Sequence, residues 1–164
     1  MGERKTASPP PVIFDSDILI WYFRGSEEAR DFIRGVPFAE RLLIAPVYME
    51  LIQGCRDRRE MAKVREFARR NFTEVIMPDE EDASMAVGLL EQYTLSHGLY
   101  GWDAFIAAMA LRRKAVLATG NVKHYRFIKG LELVTFERGG AVRATFTLEE
   151  CVRKVKLEGD LREG

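Results

Sequence analysis

The chain has 164 residues, 47 % of them apolar, and sets 25 Lys and Arg against 25 Asp and Glu. A zero net charge excludes a protein whose whole surface steers nucleic acid, and the apolar share excludes a disordered chain while leaving enough for one domain-sized core. No apolar run approaches the roughly 20 residues of a membrane-spanning helix, the start "MGERKTASPPPV" lacks the apolar segment of a secretory signal, and Cys55 and Cys151 have no metal-binding spacing, so a soluble, cytoplasmic protein with reduced cysteines is expected.

After the extended lead-in of Ser8 and three prolines, "VIFD" (12–15) is short, apolar and β-branched, which predicts a buried strand. Ser16 can cap the helix that follows, "SDILIWYFRG", and Gly25 can end it. "SEEARDFIRG" (26–35) repeats that helical grammar. "LLIA" (42–45) is a second strand candidate, and Pro46 suits the first turn of a helix through "VYMELIQG". Over 57–71, Met61, Val64, Phe67 and Ala68 recur at helical spacing between basic residues. "FTEVIM" (72–77) reads as a third strand. A long helix is predicted over 80–98, with Ala86, Leu89, Leu90 and Tyr93 as its core face and an acidic first turn that complements the helix dipole. "GLYGWDAFIAAMALRRK" places Asp103 in the first turn of an alanine-rich helix. "AVLAT" (115–119) and "LELVTF" (131–136) are the fourth and fifth strands, with a loop or short helical turn between them. The tail from residue 137 reads as a Gly-Gly hairpin and a final helix that Thr147 and Glu150 would cap as a box.

Short apolar strands alternating with helices predict an α/β domain over 12–136, with a largely parallel sheet and helices on both faces. Residues 137–164 form a C-terminal extension without an assigned role. Two charge runs survive the neutral total. Basic residues dominate 56–70, and over 79–91 the charged side chains are all acidic. Each reads first as a solvated helix face, although the basic one can also steer a phosphate backbone or pair with an acidic protein segment.

In an open parallel sheet, ligands bind at the carboxyl ends of the strands, where strand order reverses. Asp15 ends the first strand and Asp17 starts the next helix. Glu50 lies just past the second strand, Asp103 opens the helix before the fourth, and Asn121 follows that strand. Their neighbours are apolar or small: Phe14, Met49, Leu51, Trp102 and Ala104. Carboxylates that converge in one crevice repel each other unless a cation sits among them, and oxygen ligands suit Mg2+ or Mn2+. Such a site implies hydrolysis of a phosphoester without a histidine base. The chain has only His97 and His124, and His124 reads as a loop residue.

Three segments, "VIFDSDILIWYF", "IAPVYMELIQG" and "GWDAFIAAMALRRKAVLATGNVKHYRFIKGLELV", follow one another between residues 12 and 136. In them the chain resembles the PIN-domain ribonucleases of VapC type, the toxins of toxin–antitoxin pairs. The last segment is the most specific, with an Asp-x-x-Ile-Ala-Ala helix, a strand ending in Thr-x-Asn and an aromatic shortly after. The resemblance implies a three-layer α/β/α fold around a mostly parallel sheet of about five strands. It also implies an Mg2+- or Mn2+-dependent endoribonuclease, a homodimer, and a cognate antitoxin whose segment enters the site. Asp15, Glu50 and Asp103 carry over as metal-binding acids, Asn121 as a catalytic position that is Asp in many members, and Ser16 and Thr119 as supporting residues. Asp17 stands where the family usually has Asn, so this exchange with Asn121 keeps the number of carboxylates at four and makes Asp17 a further metal ligand.

Plainer readings stand beside these. Asp15 can be a strand-end cap, Asp17 a residue held by the helix dipole, and Asn121 a turn former next to Gly120. Trp21, Trp102 and Phe105 suit a core or a dimer interface, and Cys55 is expected to be inert. Two other functions remain open: a non-catalytic PIN-like RNA-binding or scaffold module, which Asn121 allows, and a haloacid-dehalogenase-type phosphatase suggested by "DSD". The latter needs an acidic pair after a late strand, and nothing acidic lies between Asp103 and Glu132.

Overall fold

Five short strands form the centre of the structure, a computed structural model that describes residues 9–137. They are β1 (Val12–Phe14), β2 (Arg41–Ile44), β3 (Val75–Ile76), β4 (Val116–Thr119) and β5 (Leu133–Thr135), in the order β3-β2-β1-β4-β5. All pairings are parallel, and Ile13 sits in register with Leu42 on one side and Leu117 on the other. Strands buried on both faces need unbroken apolar runs rather than alternation. Accordingly, every residue of β1 and β4 is buried.

Helices α1 (Ser16–Phe23), α2 (Glu27–Gly35), α3 (Ala45–Gln53) and α4 (Arg58–Asn71) join the first three strands. Helices α5 (Glu80–His97) and α6 (Gly101–Arg112) bring the chain back from β3 to β4. Right-handed crossovers running in opposite directions put these two groups on opposite faces of the sheet, giving the three layers. The reversal of direction falls at β1, so the crevice that can hold a ligand opens where β1 and β4 end.

Local chemistry explains most boundaries. Ser26 Oγ accepts from the Ala29 N–H at 3.1 Å to start α2, and Asp57 accepts from the Glu60 N–H at 2.8 Å to start α4. Asp79 and Asp82 form a reciprocal capping box at the start of α5. The acidic run of α5 is more than a solvated face. Asp82, fully buried, accepts two bonds from Arg113, at 2.9 and 3.0 Å, and one from Arg112 at 2.7 Å. Arg112 also reaches Asp79 and Glu81. The start of α5 is thereby tied to the end of α6, and the other end of α6 carries Asp103.

Several expectations change in detail. Asp15, not Ser16, is the N-cap of α1, because its carboxylate accepts from the Ser16 N–H at 2.8 Å. The third strand shrinks to Val75–Ile76, since Phe72 closes α4 and turns its ring onto Phe14, with centroids 6.1 Å apart. On α5, Ala86 and Tyr93 are buried, but Leu89 and Leu90 are only half-buried. Helix α4 buries Val64, Phe67 and Ala68, and its exposed Arg69 and Arg70 pair with Glu66. Trp21, Trp102 and Phe105 are half-buried. Among the described residues no helix is long and apolar enough to cross a membrane. The expected hairpin and final helix, with Thr147, Glu150 and Cys151, lie outside the described residues.

Candidate active site

Asp15 is the first residue past β1, and its N–H extends the sheet by donating to the Ala118 carbonyl at 2.8 Å. That bond sets its side chain beside the end of β4, where it is only 7 % exposed. One carboxylate oxygen accepts from the Ser16 N–H and the other from the Thr119 hydroxyl, each at 2.8 Å. Thr119, fully buried, accepts in turn from the Asn121 N–H at 2.9 Å. Ser16 and Thr119 thus support Asp15, one through its backbone and one through its side chain. Burial, followed by the Asp17 charge, pushes the Asp15 carboxyl up from 3.8 to about 6, and Asp103 adds to the push.

Asp17, in the first turn of α1, accepts from the Ile18 N–H at 2.7 Å and from the Gly120 N–H at 2.8 Å. Burial raises its carboxyl above the ordinary value, and the Glu50 charge works in the same direction. The bond to Gly120 requires a residue without a side chain there. A Cβ at that position would lie 2.7 Å from the Asp17 Oδ2 and 3.2 Å from the Phe136 carbonyl. Glu50 projects from α3 into a groove of about 580 Å³ that Arg24, Arg56 and Lys63 also line.

Asp103, in the first turn of α6, completes the acidic group from the opposite side of β1. Its Oδ1 accepts from the Tyr125 hydroxyl at 3.3 Å and its Oδ2 lies 3.0 Å from His124 Nδ1. Tyr125 is buried, and burial together with the Asp15 and Asp103 charges raises its hydroxyl so that it stays a donor. Asn121 is exposed and turns its amide to His124 at 3.1 Å rather than to any carboxylate.

The fold therefore gathers Asp15, Asp17, Glu50 and Asp103 at one edge of the sheet, where Asp15 feels the charges of Asp17 and Asp103, and Asp17 that of Glu50. Thr119 and Asn121 border them. Sequence reasoning missed two residues. His124 reads as a loop histidine in the sequence, yet it contacts Asp103; Tyr125 carries a signal only as the aromatic that follows Thr-x-Asn. Among the described residues, no three His, Cys, Asp or Glu side chains stand together at the spacing that would hold a metal ion. Asp15 and Asp17 instead turn each of their four oxygens to a donor of the chain. A carboxylate oxygen can accept more than one bond, and a set made only of carboxylate oxygens, those of Asp15 and Asp17 held by backbone and hydroxyl donors, is chemistry that suits a hard divalent cation. The donor type, rather than the spacing of the side chains, is what fits such a cation.

Comparisons with known proteins give the family of the chain. The PIN domain family profile matches residues 12–129, a span that includes Asp15, Asp17, Glu50, Asp103 and Asn121. Ribonuclease VapC10 of Mycobacterium tuberculosis is 35 % identical over 126 residues, 74 % of this chain and 90 % of the relative. A toxin–antitoxin complex from Klebsiella pneumoniae superposes with a TM-score of 0.63 at 27 % identity, covering 76 % of this chain and 96 % of its counterpart. A DNA-bound VapBC complex from Salmonella typhimurium shares the fold with a TM-score of 0.65 at 23 % identity, over 76 % of this chain and 96 % of that one. The chain belongs to the PIN domain family, and within it to the VapC type.

Proposed function

We propose that this protein is an endoribonuclease that depends on Mg2+ or Mn2+, and that it is the toxin of a toxin–antitoxin pair. The observation that carries the reading is the buried Asp15 carboxylate, held by Ser16 and Thr119 at the switch point of the sheet with Asp17, Glu50 and Asp103 around it. The similarity to Ribonuclease VapC10 supports the substrate class, and the likeness to a toxin–antitoxin complex supports an antitoxin partner.

In this reading Asp15, Glu50 and Asp103 would hold the cation, with Asp17 as a further ligand that would make up for the neutral Asn121. When bound, a divalent ion ionises a water and stabilises the charge that builds on the phosphate. The residues of the chain do the positioning. Thr119 and the Ser16 N–H fix both oxygens of Asp15, the Gly120 N–H anchors Asp17, and the Tyr125 hydroxyl orients Asp103. Asn121 faces the open side, where its amide can meet a phosphate oxygen or a water. A homodimer, a cytoplasmic setting and a nuclease unit spanning 12–136 complete the proposal.

The test is cleavage of single-stranded and structured RNA by wild type, Asp15→Asn and Asp103→Asn, with Mg2+ or Mn2+ and with excess chelator. Cleavage that requires the metal and falls at least a hundredfold in both variants is expected. Cleavage that survives the substitutions and the chelator would refute it.

A further inference from the structure

A second, smaller cavity of about 190 Å³ opens beside Asp103, between the end of α5, the start of α6 and the turn after β4. Its wall includes His97, Tyr100, Lys123 and Phe127, and it shares Asp103 and His124 with the acidic site. It is smaller than the roughly 300–1,000 Å³ of a pocket for a whole small molecule. The His97 and Phe127 rings are stacked, with centroids 4.3 Å apart and planes inclined by 21°. Tyr100, whose ring is a flat apolar face with a polar tip, is 69 % exposed on the same cavity.

We propose that this cavity takes one nucleobase of the RNA strand, next to the phosphate that is cut. The inference rests on the reading of the chain as an RNA-cutting enzyme and names a subsite for its substrate. Flat aromatic faces bind unpaired bases by stacking, whatever the base. Tyr100 and the stacked His97–Phe127 pair line one cavity of about 190 Å³. Lys123 adds a cation for the adjoining phosphate, and Asp103 and His124 give the wall polar groups that suit a base better than a purely apolar side chain. Because Asp103 belongs both to this cavity and to the acidic group, a base seated here holds its own phosphate at the site. The strand is then positioned by stacking on the α6 side of β1.

The experiment uses the full chain, chelator and a short 2′-O-methyl single-stranded oligonucleotide that cannot be cut, with binding read by fluorescence anisotropy and by amide shifts at Tyr100 and Lys123. Tyr100→Ala is expected to weaken binding about tenfold, and Tyr100→Phe to restore it. In cleavage assays with metal, Tyr100→Ala is expected to raise KM by a similar factor with little change in kcat. Lys123→Ala is an independent rim variant in case Tyr100→Ala loses its fold. Unchanged binding in both alanine variants overturns the inference, as does a loss that Tyr100→Phe does not restore. Loss of binding to a protein partner with RNA binding intact assigns the cavity to that partner and also overturns it. RNA cleavage with a normal KM in Tyr100→Ala removes the subsite and leaves the nuclease reading standing. Oligonucleotide binding through Tyr100 without any cleavage by wild type does the reverse.

Discussion

Replacing Asp15 by Asn is expected to stabilise the metal-free protein at neutral pH. The Asp15 carboxyl has its pKa raised from 3.8 to about 6, first by burial and then by Asp17, so the fold favours its protonated form. A group raised in this way binds more protons folded than unfolded, and stability falls as pH rises between the two values and stays low above them. The displacement corresponds to about 3 kcal/mol at pH 7.5. The amide of Asp15→Asn keeps the acceptor for the Ser16 N–H, but its NH2 replaces the oxygen that accepted from Thr119, which costs about 1 kcal/mol. The net gain is about 1–2 kcal/mol, or about 2–8 °C in Tm for a domain of this size. Thermal unfolding of both proteins in chelator, at pH 7.5 and at pH 4, checks this. The advantage of the variant is expected at pH 7.5 and should largely vanish at pH 4, where wild-type Asp15 is protonated. Millimolar Mn2+ should raise the wild-type Tm at pH 7.5 and raise that of the variant much less. An Asp15→Asn protein no more stable than wild type at pH 7.5, or equally favoured at both pH values, would show that the carboxylates do not strain the fold.

Gly120→Ala places a Cβ 2.7 Å from the Asp17 carboxylate and 3.2 Å from the Phe136 carbonyl. Urea unfolding is expected to show a loss of about 1–2 kcal/mol, with weaker RNA cleavage because Asp17 is displaced; an unchanged midpoint and rate would refute the contact. Asp82→Asn leaves Arg113 without its buried anion and is expected to cost about 2–4 kcal/mol in urea unfolding at pH 7. Burial pushes the Asp82 carboxyl up, but the Arg113 and Arg112 bonds outweigh it and hold the group well below the usual carboxylate range. Its contribution is therefore present above about pH 4 and lost as pH falls below that value, so the variant should lose less stability than wild type on acidification.

The strands, the alternation of layers and the acids of the site are legible in the sequence. "VIFD" and "AVLAT" are unbroken apolar runs because β1 and β4 are buried on both faces, and burial on both faces writes itself directly into composition. Asp15, Glu50 and Asp103 stand out in the sequence because each has apolar or small neighbours, although in the fold only Asp15 is buried and the other two are half-buried. The short strands are harder. Phe72 is as apolar as any strand residue, and only its packing on Phe14 shows that it closes a helix.

What tertiary structure alone decided are the contacts between distant segments. Thr119 donates to Asp15 across 104 positions and Gly120 to Asp17 across 103, and no local periodicity encodes either bond. His124 reads as a loop histidine until the fold sets it against Asp103, and the acidic start of α5 reads as a solvated face until Arg112 and Arg113 close on it. Sequence pattern records how each residue meets its immediate neighbours and the core. The partners of a polar side chain depend on which strands lie side by side, and that is settled only when the sheet forms in the order β3-β2-β1-β4-β5.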